Sequence, residues 1–179
     1  MRAIYNLVCF LVAKVFVALT YTSSFYNISV FLSKLSFSYG NKVRYYYYRS
    51  MLNNVGENVI FPWGVVFTNR QISIGNNVRF GPMNTIGLVD FGDDILIGQG
   101  VHFLSGMKQH GIELGQLIRE QAGVNERVSI GNDIWIGTSS IIMASIRSGA
   151  VIGAGSIVTK EVGENAIVTG VAARERRYR

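Results

Sequence analysis

A chain of 179 residues with 20 Gly, 2 Pro and a single Cys fits one well-buried domain, excludes an intrachain disulfide and is too short for two ordinary domains. The formal charge of +6 is unevenly placed: residues 1–56 hold six bases and no acid, and from Glu57 onward there are eleven of each. The excess positive charge therefore belongs to the front of the chain, and no nucleic-acid partner is expected.

Residues 1–54 read as an apolar, basic and helical segment. Leu7, Val8, Phe10, Leu11, Val12, Val15, Phe16, Val17 and Leu19 surround a lone Lys14, and a second apolar stretch runs over residues 25–35. A spanning helix would sit at the short end of the required length and carry a charge. A secretory signal would need a small-residue cleavage site, which does not follow. One or two amphipathic helices are expected, lying either on a membrane face through residues 1–50 or against the solenoid, packed onto the protein's own subunits.

From residue 55 the pattern changes. Apolar anchors fall at Val55, Phe61 and Phe67, then Ile74, Phe80 and Ile86, then Phe91, Ile97 and Phe103, then Ile130, Ile136 and Ile142, then Ile146, Ile152 and Val158. Within each trio the spacing is six, and between trios it is 7, 5, 27 and 4. Every length change falls after a third anchor, as in a prism whose faces stay stacked while one corner absorbs insertions. Residues 55–162 are thus predicted to form an all-β solenoid, a parallel β-helix of five coils. The positions four after the anchors (Val59, Val65, Val78, Ile95, Val101, Ile134, Ala150 and Val162) add a second inward residue per hexapeptide. Five Phe anchors in the first three trios are bulky for a narrow core, so the early coils are expected to be wide or distorted. The step of 27 inserts a loop over 104–129, and residues 163–179 read as a basic tail.

Two stretches carry a resemblance: 128–138, Val-Ser-Ile-Gly-Asn-Asp-Ile-Trp-Ile-Gly-Thr, and 149–160, Gly-Ala-Val-Ile-Gly-Ala-Gly-Ser-Ile-Val-Thr-Lys. Both are similar to the C-terminal half of hexapeptide-repeat acyltransferases, above all the galactoside and maltose O-acetyltransferases and the O-acetyltransferases of bacterial surface polysaccharides. The likeness covers residues 55–179. It implies a left-handed β-helix, against the usual crossover handedness, with homotrimers, acetyl-CoA as donor and active sites between subunits.

A long loop in a compact fold is usually functional, and this one contains His110. The resemblance implies that His110 is the catalytic base, two residues later than in the sugar acetyltransferases. An acceptor hydroxyl is a poor nucleophile, and a neutral imidazole helps by taking its proton as it attacks a thioester. Glu113 and Glu120 are candidates to orient the ring, or are ordinary loop charges. His102 is expected to point outward or into a corner, and Cys9 has no neighbouring His that would make it a nucleophile. The γ-class carbonic anhydrases share the implied fold but bind zinc through three His, and this chain has two, so no metal site is expected.

Further roles are implied position by position. The Thr138 amide, just after Trp135-Ile-Gly, corresponds to the oxyanion donor. Trp135, Ala154, Thr159 and Lys160 correspond to positions along coenzyme A, Arg174 and Arg177 to cations at its phosphates, and Asn84 and Asp90 to acceptor-binding positions. The expected function is acetyl-CoA-dependent O-acetylation of a sugar or saccharide hydroxyl in surface-polysaccharide assembly, in the cytoplasm or at the inner face of its membrane. N-acylation of an amino sugar and a catalytically degenerate scaffold or membrane-associated binding module are the alternatives.

Overall fold

A computed structural model describes residues 1–178. Three helices come first: α1 (Arg2–Leu19), α2 (Phe25–Ser33) and α3 (Phe37–Met51). The expectation of one or two helices is corrected by α3. Its run Tyr45–Tyr48 reads poorly as amphipathic, yet Tyr47 and Tyr48 are fully buried beneath α1 and α2.

The rest of the chain is made of short strands. In chain order they are β1 (Asn54–Val55), β2 (Val66–Phe67), β3 (Ser73–Ile74), β4 (Thr85–Ile86), β5 (Val89–Phe91), β6 (Ile95–Ile97) and β7 (His102–Phe103). After the loop follow β8 (Val128–Ile130), β9 (Ile134–Ile136), β10 (Ile141–Ile142), β11 (Val151–Ile152), β12 (Ile157–Val158), β13 (Ala166–Thr169) and β14 (Arg174–Tyr178). They form three sheets, which the chain visits in rotation. The first holds β1-β3-β5-β8, the second β6-β9-β11-β13-β14, and the third β2-β4-β7-β10-β12. All neighbours are parallel except β13 and β14.

Register follows the trios. First anchors lie in line, Val55 on Ile74 on Phe91 on Ile130, continued by bridges from Ile130 to Ile146 to Val162. Third anchors stack Phe67, Ile86, Phe103, Ile142 and Val158. Second anchors stack Ile97, Ile136, Ile152 and Val168. None of the fifteen anchors exceeds 6% exposure. Val162, read as a secondary inward position, is instead the first anchor of a partial sixth turn, with Val168 its second. The β-structure therefore continues past residue 162. The stretch read as a basic tail contains β13 and the antiparallel β14; Arg179 lies outside the described residues.

The bulky early anchors interlock along the axis. Phe80 stacks on Phe61 at 5.4 Å, Phe91 meets Phe80 edge-on at 5.2 Å, and Phe103 meets Phe91 at 5.1 Å, a geometry favoured by the ring quadrupoles. On the second sheet the first two coils make only isolated bridges, from Ile60 to Arg79 to Leu96. Corners use residues that tolerate positive φ: Asn58, Asn77, Asp94, Asp133 and Asn165 recur at one of them.

The helices cover the open end of the solenoid. The first coil has no coil before it, and Ser29 of α2 substitutes for one by accepting from the Phe67 N–H at 2.9 Å, while the Ser33 carbonyl accepts from Gly64 N–H at 2.7 Å. Tyr48 reaches into this layer, its hydroxyl 2.8 Å from Ser29 Oγ and its ring 4.6 Å from Phe67. Burial pushes the Tyr48 hydroxyl well above its ordinary pKa.

Arg44 fastens the helices together. It is fully buried, yet no acid accompanies it. Its Nε donates to Phe61 O at 2.7 Å, Nη1 to Leu32 O and Leu35 O at 2.8 and 2.7 Å, and Nη2 to Asn41 Oδ1 at 2.8 Å. Leu32 lies in the last turn of α2, whose negative dipole end favours a cation, and its carbonyl also accepts from Leu35 N–H at 3.1 Å. Burial lowers the guanidinium pKa to about 10, which leaves it charged at neutral pH. Gly40 permits the approach, since a Cβ there would strike the Leu35 carbonyl.

Arg44→Met would leave three carbonyls short of a buried donor. We expect it to lower the unfolding free energy by about 3 kcal/mol or more, with Arg44→Lys costing less, read from urea midpoints. An unchanged midpoint for Arg44→Met would contradict this role.

Candidate active site

The inserted loop leaves after β7 and returns at β8, at the corner between the third and first sheets. Its stem is paired: Glu126 N–H donates to Ser105 O at 2.9 Å and Val124 N–H to Lys108 O at 2.7 Å. Asp90 anchors the returning strand, accepting from Arg127 Nη1 at 2.8 Å and from the Ser73 N–H at 2.7 Å. The distal part is braced by Gln121, whose amide bonds the Glu113 N–H and O and the Gln116 O at 2.8–2.9 Å. Nothing in the sequence pattern marks Gln121 for this task.

His110 lies two residues beyond the Lys108 stem pair, exposed to solvent. Among the described residues no carboxylate hydrogen-bonds its ring; Glu120 faces Arg119 at 3.5 Å, and Glu113 contributes main-chain groups to Gln121. Neither orienting candidate is in place within one chain. His102 is exposed on β7, in register with Thr85 and Ile141, outside the solenoid as expected.

Beside the loop stem lies a recess of about 500 Å³. Met107, Lys108 and Arg127 wall one side, and Ser145, Thr159 and Lys160 the other. Thr159 and Lys160 thus share a recess with the stem, although their coils are separate in sequence. No motif marks Met107, Lys108 or Ser145 as part of such a recess, and the one signal available is that the first two lie in the loop insertion.

A second group sits at another corner, between the second and third sheets. Thr138 and Ala154 are exposed there one above the other, and the Thr138 carbonyl accepts from Gly155 N–H at 2.8 Å. Among the described residues the Thr138 N–H donates to no backbone acceptor. Gly98 packs against the Thr138 nitrogen, where a Cβ would strike it, and a Cβ on Gly155 would meet nothing within 4 Å. Trp135 is 59% exposed on the outer face of the second sheet, in one row with Val151, Ile167 and Arg177. Arg174 pairs with Thr169 in the same sheet, exposed like Arg177 and in no ion pair among the described residues. One chain therefore brings Thr138, Ala154, Trp135, Arg174 and Arg177 to one sheet and its corner, while the His110 loop departs from a different corner.

Within one chain, two of the expected acceptor-binding residues are engaged elsewhere. Asn84 is fully buried, two residues before the Ile86 anchor and in the same inward column as Val65 and Val101. Its Nδ2 donates to Gly98 O at 2.9 Å, and its Oδ1 has no partner. It belongs to the inner wall and is not open to an acceptor. The Asp90 carboxylate is engaged by Arg127 and Ser73, so its role within the chain is to hold the loop stem.

No family model matches the chain. It is 33% identical over 133 residues to the galactoside O-acetyltransferase of Escherichia coli (strain K12), covering 70% of this chain and 64% of that protein. To the galactoside O-acetyltransferase of Lactococcus lactis subsp. lactis (strain IL1403) it is 28% identical over 131 residues, covering 68% and 54%. The chain thus spans between half and two thirds of the length of these relatives. Among solved structures, a galactoside acetyltransferase in complex with coenzyme A superposes with a TM-score of 0.71 at 29% identity, over 85% of this chain and 78% of that one. In sequence and in coil architecture together, the chain resembles the hexapeptide-repeat acyltransferases.

Proposed function

We propose that the chain is an acetyl-CoA-dependent O-acetyltransferase acting on a sugar or saccharide hydroxyl in bacterial surface-polysaccharide assembly, on the cytoplasmic side of the membrane. The observations that carry this reading are a His on the inserted loop and, at another coil corner, an amide N–H with no backbone acceptor among the described residues. Support comes from the galactoside O-acetyltransferases it resembles and from the coenzyme A complex of its structural neighbour. The working form in this reading is a closed homotrimer of left-handed coils. Because His110 and Thr138 leave one chain at different corners, the loop of one subunit serves the Thr138 corner of the next.

In this arrangement the His110 imidazole removes the proton of the acceptor hydroxyl while its oxygen attacks the thioester carbonyl carbon. The Thr138 N–H steadies the oxyanion that develops there. As the C–S bond breaks, the imidazolium returns its proton to the departing sulfur. Ala154 and Gly155 leave room for a thin pantetheine arm, Trp135 offers an apolar plane beside it, and Lys160, Arg174 and Arg177, in no ion pair among the described residues, supply cations for phosphates. No covalent enzyme intermediate and no metal enters this scheme.

The reading is tested by incubating the protein with acetyl-CoA and a panel of sugars, sugar nucleotides and glycans, followed by mass spectrometry. A mass gain of one acetyl group on a hydroxyl is expected. Acetylation confined to amino groups would replace the O-transfer reading, and the absence of coenzyme A binding in a calorimetric titration would point to a scaffold.

His110→Ala is expected to lower kcat by roughly 10²- to 10⁴-fold with coenzyme A affinity retained. Unchanged turnover would remove His110 from the mechanism.

A further inference from the structure

The helix α1 is apolar on both sides. Cys9 and Ala13 bury one face against the rest of the protein. On the other, Ile4, Leu7, Val8, Leu11, Val15 and Leu19 are each between 44% and 68% exposed. At about 100° per residue these six cover an arc of roughly 120° opposite Cys9 and Ala13, with Lys14 at its edge. A soluble surface would place charges here.

Beside the first turn of α1 is a cleft of about 570 Å³, walled by α1, α3 and the first coil. Three bases line it, Arg2, Lys42 and Arg49, among the rings of Tyr5, Tyr45 and Tyr46. Its one acid, Glu57, is taken by Arg49 at 2.9 Å. Lys42 lies 5.3 and 5.2 Å from the ring centres of Tyr45 and Tyr46, and among the described residues neither it nor Arg2 has an ion-pair partner. Two cations therefore face the cleft uncompensated.

We propose that the outer face of α1 lies on an anionic bilayer and that the cleft takes the phosphate of an anionic phospholipid. A helix lying in the interface sinks its apolar face by about 5–10 Å, and a helix is about 10 Å across. Arg2 and Tyr5, on the flank of α1 turned toward α3, then stand at headgroup depth, where the phosphates are. Charge favours this occupant over a second copy of the chain. With no acid in residues 1–56, two copies meeting through α1 would bring bases against bases, whereas an anionic surface attracts each of them. The proposal concerns the opposite end of the solenoid from Arg174 and Arg177 and does not rest on acetyl transfer.

The test uses the full chain in co-sedimentation with vesicles of phosphatidylglycerol and phosphatidylcholine, and with phosphatidylcholine alone. Binding to the mixed vesicles is expected, weakened by salt and at least ten-fold poorer on phosphatidylcholine. Leu7→Glu/Leu11→Glu, at exposed positions that leave the fold intact by circular dichroism, should abolish it. Arg2→Gln and Lys42→Gln should each weaken it roughly five-fold. Protein that stays in the supernatant with both vesicles, or Arg2→Gln and Lys42→Gln variants that bind like the wild type, would overturn the proposal. So would stabilisation by soluble glycerol phosphate without vesicle binding, which would make the cleft a free-phosphate site. A change of oligomeric mass in Leu7→Glu/Leu11→Glu, read by light scattering, would give the α1 face to a second copy and overturn it as well.

Discussion

Coil-on-coil register is the constraint from which the remaining features follow. Each inward side chain rests on its counterpart one coil away, and main-chain bonds such as Gly92 N–H to Ile130 O and Gly98 N–H to Ile136 O, both 2.8 Å, fix that alignment. A slip of one residue would turn a whole set of anchors outward. Faces therefore tolerate no change of length, and variation is expelled to corners. The corner after β7 receives the largest insertion, and that insertion carries His110.

A solenoid also has ends, and an open end exposes unpaired main-chain groups that invite further strands. This chain closes its two ends differently. At the front, α2 and α3 cover the first coil, with Ser29 and Ser33 accepting from its N–H groups and Arg44 tying helix carbonyls to Phe61 O. At the back, β14 turns antiparallel on β13, and its five residues are all exposed. The front closure needs apolar helices because Phe61 and Phe67 must be covered, and the same helices leave α1 with an outward face that the coils do not use.

The anchors are legible in the sequence because few architectures produce a period of six whose irregularities fall only at corners, and the structure stacks the trios in the register their spacing implies. Some features are hidden for identifiable reasons. The strand Arg174–Tyr178 is built of four charged residues and a Tyr and is held by main-chain pairing, which leaves no periodic trace. Val162 falls in a different column from the one its spacing suggests because the step from Val158 is short, like the step of four before Ile146. Asn84 has the polarity of a ligand-binding group, but it stands inward between Val65 and Val101, where pattern alone would expect an apolar residue. Roles such as those of Thr138 and Ala154 come from the family resemblance, and register then shows that these two share one corner.

That separation of corners bears on the central claim, an active site completed by two chains. Within one chain His110 is on the loop between the third and first sheets, and Ala154 is at the corner between the second and third. The most direct measurement is subunit complementation. His110→Ala and Ala154→Trp chains, each inactive alone, are unfolded, mixed in equal amounts and refolded together, and acetyl transfer is assayed. A site shared between neighbours returns roughly a quarter of wild-type activity, because random assembly joins an intact loop to an intact corner at about one interface in four. Activity that stays at the level of the separate variants would contradict a shared site and return the chemistry to a single chain.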